Sequence, residues 1–491
     1  MTALADKAPD AAAEPGAAHA ERARPLGLPL LGVYGSGALV EVMINFALGQ
    51  FLLFYLTIAC GLPGAFAGVV GLLSLTIDAV IDPLVGSLSD NLRGRLGRRH
   101  PFLIGAAPPT ALIMILLFSL PLGLGGGALF IYATALSLAL RIGLSCFQVP
   151  YYALGAELSD NYAERSTIVG FRVGFGVIGT LLATALSYGL FLAPPGATTH
   201  RAAYVPMAWS FAAVIAGAGL FSGFGTLATR GRLHRAASLG GAGGLRRLAT
   251  EISEIFRNRS FRVLFSAILL FFVAQGVATP LTLYANTYFW KISTVQIRDL
   301  TFIYTGGLAV GIVITGLLSR RLEKRTVAFI GLACFLLSQL LPAPLRILGL
   351  LPTKNAVMLA LTVAVILLGM GSSAAIIGYQ SMMADAADEH EHLFGARREG
   401  LYFAGINFSA KASSGLGALI AGLALDAIGF PHGAGALAAK VPPRAVTELA
   451  LIYGPGAAVV SFVSVTILFA YRINRRRHGE IIAALGRKGP A

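Results

Sequence analysis

Two carboxylates stand four residues apart inside an apolar stretch that reads Leu75-Thr-Ile-Asp78-Ala-Val-Ile-Asp82-Pro83. Side chains at that spacing share one face of a helix, so both acids face the same neighbour. An ionised group inside a bilayer costs about 2.5–3.5 kcal/mol on insertion scales. Two like charges one turn apart also repel, which favours a proton or a cation held between them. Carboxylate oxygens suit a hard cation, and either ion would make passage of a solute depend on it. The chemistry expected of Asp78 and Asp82 is capture of a coupling ion. The plainer alternative has Asp82 ending the turn broken by Pro83 and Asp78 paired with a base.

Arg141, in LALRIGLSCFQVPYYAL, is the natural counter-charge, because a guanidinium stays protonated and needs an anion within the bilayer. It either neutralises Asp78 or Asp82 or receives an anionic solute, and the sequence leaves both open. Glu41, Arg172 and Lys411 are isolated in apolar surroundings, and each is expected to face a cavity rather than lipid. Gln275, Tyr284, Asn286 and Tyr288 on one stretch, and Tyr402 and Asn407 on another, could read hydroxyl groups. Asp90 precedes Arg98 and Arg99, and a pair between them would latch one side of the molecule shut. The segment Asp388-Glu-His390-Glu-His392 is expected to be a polar loop, with no metal beyond a possible Na+. None of the apolar stretches contains a histidine, so proton coupling would use carboxylates. No GxxxxGK[ST] loop and no nucleophile–base set occurs, which argues against an ATP-driven pump and against an enzyme; no cofactor is expected.

These residues need a scaffold, and composition names its class. Of 491 residues, 56% are hydrophobic and 12% charged, with a mean hydropathy of +0.74. Soluble domains carry about 25% charged residues, so a water-soluble globule is excluded. At about 20 apolar residues per crossing, the apolar stretches at 30–58, 65–89, 102–122, 127–156, 166–192, 204–228, 261–289, 300–319, 326–347, 355–383, 400–429 and 449–472 read as twelve spanning helices. The formal charge of +15 sits in the loops between them, which points to membrane orientation rather than nucleic acid. Arg93, Arg95, Arg98 and Arg99 follow the second stretch, and Arg320, Arg321, Lys324 and Arg325 the eighth. Opposite loops such as 121–127 and 193–200 are almost uncharged, so both termini are expected to be cytoplasmic. Residues 1–27 lack an apolar core and read as a disordered cytoplasmic tail. The expected organisation is a six-helix bundle at 28–228, a solvated cytoplasmic linker at 229–260, a second bundle at 261–472 and a tail at 473–491. Cys60, Cys146 and Cys334 are expected to be small core residues.

The halves echo one another. Gly86-Ser-Leu-Ser-Asp90 answers Gly316-Leu-Leu-Ser-Arg320, and Ala156-Glu157-Leu-Ser-Asp160 answers Ala384-Asp385-Ala-Ala-Asp388. Parallel six-helix repeats around a midplane cavity are the plan of major facilitator transporters. Asp78-x-x-x-Asp82-Pro83, Gly86-x-x-x-Asp90, Gly97-Arg98-Arg99-x-Pro101-Phe102, Pro150-Tyr-Tyr-Ala-Leu154 with Glu164-Arg165, Met383-Ala-Asp385-x-x-Asp388 and Gly395-x-Arg397-Arg398-Glu399-Gly400 resemble the glycoside–pentoside–hexuronide:cation symporter family over essentially the whole chain. The resemblance implies coupled sugar and cation transport by alternating access. It matches Asp78, Asp82 and Ser145 to cation ligands, Arg172 to a sugar-contacting arginine, and Lys411 to a lysine joining the second half to the cation site. A galactoside-transporting member has acids where Val42 and Gln148 stand, a tryptophan at Tyr152, an asparagine at Ile81 and an arginine at Leu75. Gln148 and Tyr152 would then offer a hydrogen bond and an aromatic face to a different sugar, and the apolar Ile81 favours H+ over Na+.

The expected protein is a monomeric, multi-pass carrier of a cell inner membrane, in contact with lipids, that imports a small polar solute such as a sugar or glycoside with H+ or Na+. The alternatives are a carrier of an amphipathic solute, a lysolipid or drug, and a sensor that moves nothing.

Overall fold

A computed structural model describes residues 26–92, 94–232, 243–436 and 440–486. Among these, twelve helices are long and apolar enough to cross a membrane: α1 (Leu28–Leu52), α2 (Gly64–Asn91), α3 (His100–Leu117), α4 (Gly126–Glu157), α5 (Ala163–Phe191), α6 (Arg201–Gly225), α7 (Arg259–Trp290), α8 (Thr294–Arg321), α9 (Lys324–Ile347), α10 (Lys354–Phe394), α11 (Glu399–Ala427) and α12 (Pro443–Leu468). Helices satisfy their own backbone where no water is available. Their starts are written in the sequence. Asn161 caps the N–H groups of Ala163 and Glu164, Asn258 those of Ser260 and Phe261, and Ser293 with Gln296 forms a reciprocal capping box. Gly395, at φ 73°, takes the left-handed turn that stops α10.

Helices α1–α6 and α7–α12 gather into two bundles. Aromatic side chains hold each: Tyr55 meets Tyr204 at 4.8 Å between ring centres in the first, and Phe271 meets Phe335 at 5.1 Å in the second. Large apolar side chains such as Trp209, Phe221 and Phe462 remain on the outside, where lipid tails are as apolar as they are. The bundles meet along α2 and α11. A Cβ added to Gly68 would lie 2.9 Å from the Ala418 carbonyl oxygen, so this approach requires a residue without one. Polar ties between the bundles gather at the end away from the arginine-rich loops, where Tyr284 meets Thr57 and Thr294 donates to the Ala193 carbonyl.

Three stretches differ from expectation. The segment Asp388–His392 is not a loop: α10 runs on to Phe394. Its polar groups find partners, with His478 3.1 Å from Asp388 and His390 buried between Phe394 and Tyr402. Three histidines therefore belong to spanning helices, His390 and His392 on α10 and His100 at the start of α3. The linker also contains a helix, Gly243–Arg257, fastened by Arg398 to Glu251 at 2.8 Å. The closing segment holds another, Arg475–Ala484, with Ile481 and Ile482 buried. The expected disordered tail over residues 1–25, Arg93 and the linker stretch 233–242 lie outside the described residues.

Candidate functional site

Pro83 has no N–H for the carbonyl one turn earlier, and α2 is interrupted at Ile77, immediately before Asp78. Asp78 is 3% exposed and faces α4 and α11. Lys411 on α11 crosses between the bundles and sits 2.5 Å from Asp82 Oδ2 and 3.6 Å from Asp78 Oδ2. Arg141 on α4 approaches Asp78 Oδ2 at 3.7 Å and donates to Asn45 Oδ1 at 2.9 Å. Two acids thus face two bases, and the cluster is neutral. The neutrality is incomplete in one respect. Asp78 Oδ1 and Asp82 Oδ1 are both buried with no hydrogen-bond donor among the described residues, although buried polar atoms are ordinarily satisfied. These two oxygens are free acceptor positions for a proton or a cation.

The cluster opens on a cavity of about 360 Å³ lined by Glu41, Asn45, Asp78, Arg141, Gln148 and Lys411, among others. At one wall, Tyr152 donates to Glu41 Oε2 at 2.6 Å and accepts from Gln148 Nε2 at 3.1 Å. The Arg172 guanidinium lies 4.3 Å from the Tyr152 ring centre, a cation–π contact. The structure thus brings Glu41, Gln148, Tyr152 and Arg172 into one network. Their support is a stacked pair, Tyr34 and Tyr151, 4.6 Å apart, with Tyr151 donating to the Tyr34 carbonyl.

Other expected site residues lie elsewhere. Ser145 is buried on α4, and the cavity lining runs from Arg141 to Gln148 without it. Tyr284 does not reach the cavity: it is fully buried, contacts Thr57 and donates to the Leu53 carbonyl. Helical phase explains the difference, because Tyr284 is nine residues beyond Gln275 and one face over, toward α1. Asn286 lines a second cavity of about 250 Å³ that shares Gln275 and Thr279 with the first. Tyr288 donates to the Ala436 carbonyl, and Tyr402 packs on Phe261 inside the second bundle.

The arginine-rich end carries its own cluster. Arg99 pairs with Asp90 at 2.5 Å and with Glu157 at 2.8 Å, and donates to Ser89 Oγ. Arg98 pairs with Glu157 rather than with Asp90. All of these belong to α2, α4 and the turn leading into α3, so the ties close within one bundle. The second half repeats the arrangement, with Lys324 2.6 Å from Asp385 at the corresponding depth of α10. Sequence reasoning passed over Asn45 and Asp426, and named Glu157 only within the echo of the two halves. Asn45 was detectable as an amide one turn after Glu41; Asp426 sits near a helix end, where an acid attracts no notice.

A family model described as MFS/sugar transport protein matches residues 33–475. The isoprimeverose transporter of Lactiplantibacillus pentosus is 25% identical over 388 residues, 79% of this chain and 78% of that protein. A putative sulfoquinovose importer of Escherichia coli (strain K12) is 23% identical over 446 residues, covering 89% of each. Among solved structures, the nucleoside transporter NupG superposes with a TM-score of 0.63 at 13% identity, over 89% of this chain and 99% of that one. The last likeness concerns the fold alone.

Proposed function

The chain belongs to the MFS/sugar transport family, and from that premise we propose that it is a cation-coupled symporter carrying a sugar or glycoside by alternating access. It is a transporter rather than an enzyme. The relatives named for isoprimeverose and sulfoquinovose support a sugar, and amides and charges around the cavity suit hydroxyl groups better than an acyl chain.

One observation carries the coupling: Asp78 lines the cavity between the bundles, Asp82 joins it through Lys411, and each acid keeps a buried oxygen without a donor among the described residues. With no coupling ion bound, Lys411 serves as the counter-charge of Asp82. An arriving cation takes up the free oxygens, competes with the Lys411 ammonium and loosens the tie between α2 and α11. The bundles can then rock with solute bound, and loss of the ion on the far side restores the lysine contact. H+ is the expected ion. Ile81 supplies no oxygen beside the pair, so Na+ would lack ligands, whereas a proton needs a single acceptor. Ser145 is assigned a supporting role through the resemblance alone. Arg141 acts as the permanent positive charge facing Asp78.

The loops bearing Arg95, Arg98, Arg99, Arg320, Arg321 and Lys324 would lie on the cytoplasmic side of a cell inner membrane, with both termini, by the excess of basic residues. The Asp90–Arg99–Glu157 cluster is then a cytoplasmic brace of the first bundle, and the carrier works as a monomer. The test is sugar uptake into liposomes under a proton gradient or a sodium gradient. Uptake driven by the proton gradient, abolished in Asp82→Asn while sugar exchange persists, is the expected result. Gradient-driven accumulation in that variant equal to the unsubstituted protein would overturn the coupling assignment.

A further inference from the structure

The second cavity has no assigned role, and its lining is distinctive. It lies between the bundles, bounded by residues of α1, α5, α7, α8, α9, α10 and α12, and shares Gln275 and Thr279 with the carboxylate cavity. Among the described residues, no Asp, Glu, Lys, Arg or His borders it. Its polar lining combines four side-chain amides, Gln50, Gln275, Asn286 and Gln339, with threonine, tyrosine and serine hydroxyls. Asn286 and Gln339 are each 7% exposed, and the Gln275 amide nitrogen is buried with no partner. None of the four side-chain amides hydrogen-bonds within the protein among the described residues. A buried amide without a partner costs free energy unless a ligand or water completes it. Each amide offers two donors and a double acceptor, which is the complement of a hydroxyl.

We infer that this uncharged cavity is the seat of the solute ring, and that it accepts a neutral polyhydroxylated molecule of monosaccharide size while refusing ionised sugars. The inference rests on the sugar-symport reading and deepens it. A volume of about 250 Å³ lies just below the usual small-molecule range of about 300–1,000 Å³, which holds one ring with little to spare. A carboxylate or sulfonate placed here meets no counter-charge and loses its hydration. Hydroxyls lose nothing, since four amides wait for them. The wall residues Phe46 and Phe335 supply flat apolar faces for the C–H side of a ring. Gln275 belongs to both cavities, so a ring hydroxyl bound to its amide sits beside the compartment of Asp78 and Lys411. Occupancy of the neutral seat is thereby felt where the ion binds.

Two of the four amides lie where helices widen. Gln50 falls in the π-helical segment Ala47–Leu52 of α1 and Asn286 in Ala285–Trp290 of α7. Such wide turns re-aim side chains and recur at functional sites.

Counterflow in liposomes containing the full-length protein reports solute exchange without an ion gradient. The probes are labelled neutral pentoses, hexoses and their glycosides, set against a hexuronate and a sulfonated hexose. Neutral sugars are expected to exchange at least tenfold faster than ionised ones. Gln339→Leu and Asn286→Leu should each raise the half-saturating concentration about tenfold. A second measurement needs no transport: in Ser372→Cys, on the cavity wall, saturating neutral sugar should slow alkylation of the new thiol at least fivefold, read by peptide mass. Equal exchange of ionised and neutral sugars, or an unprotected thiol under saturating exchanged sugar, would overturn the seat. Neutral exchange with thiol protection but no gradient-driven uptake would support the seat and remove the coupling. Absence of exchange for every sugar would defeat both readings.

Discussion

The Asp426 carboxylate lies across the opening turn of α2, accepting from the Gly64 N–H at 2.8 Å and the Ala65 N–H at 2.7 Å. One side chain near the end of α11 thus caps a helix of the opposite bundle. The first N–H groups of a helix lack partners of their own and carry a partial positive charge, so an anion there is doubly favoured. This contact fastens the bundles at the end away from the basic loops.

Removing that anion should open the fastened end. Asp426→Ala leaves two helix N–H groups to water and forfeits hydrogen bonds to a charged acceptor, about 1.5–3 kcal/mol. Spin-label distances between the start of α2 and the end of α11 should lengthen, with the separated population rising at least tenfold. An unchanged distance distribution would show that packing alone holds the closure.

Packing contributes separately through Gly68. Gly68→Val drives side-chain atoms into the backbone of α11 near Ala418, and overpacking of this kind costs about 1–3 kcal/mol. The same spin-label pair should report separation, and sugar exchange should slow. Asp426→Ala and Gly68→Val lie on one interface, so their effects should combine non-additively.

Lys411 and Asp82 should behave as a unit. Losing either partner strands a charge, whereas losing both does not. The Lys411→Gln and Asp82→Asn proteins should each melt lower in detergent than the Lys411→Gln/Asp82→Asn double variant. Lys411 is 41% exposed at its side chain, so solvent screening holds the coupling to about 1 kcal/mol. Additive losses would mean that the two groups do not interact in solution.

Glu157 receives both Arg98 and Arg99, although the sequence drew attention only to Asp90 as their partner. Glu157→Gln should therefore destabilise the first bundle more than Asp90→Asn does, because Glu157 is the more buried acid, 14% against 33% exposed at the side chain. Thermal unfolding of the two variants side by side checks the order. The reverse order would reassign the brace to Asp90.

Spanning helices were legible because apolar length alone defines them, and most ends fall within a few residues of expectation. Asp78, Asp82, Arg141 and Lys411 were legible for the converse reason: a charge inside such a stretch demands an explanation. What escaped reading depends on partners distant in sequence. The last turns of α10 look like a loop until His478 and the closing helix supply contacts for Asp388. The linker helix Gly243–Arg257 hides in a glycine- and arginine-rich composition and is fastened by Arg398 from far along the chain. Tyr284 looks like a hydroxyl reader on a cavity helix, and only the packing of α1 against α7 turns it inward to Leu53. The neutral cavity was half visible, through Gln275 and Asn286; Gln50 and Gln339 belong to helices that gave no sign of meeting α7.

The lysine that completes the acid pair is contributed by the last third of the polypeptide. At this depth the first six helices carry Glu41, Asp78 and Asp82 against Arg141 and Arg172, one negative charge too many, and Lys411 cancels it. A ribosome that has delivered only the first half has therefore left an unbalanced anion in the bilayer, and the debt stands until α11 is inserted. Either half expressed alone is electrically unfinished, and each carries in its interior the attraction that draws it to the other.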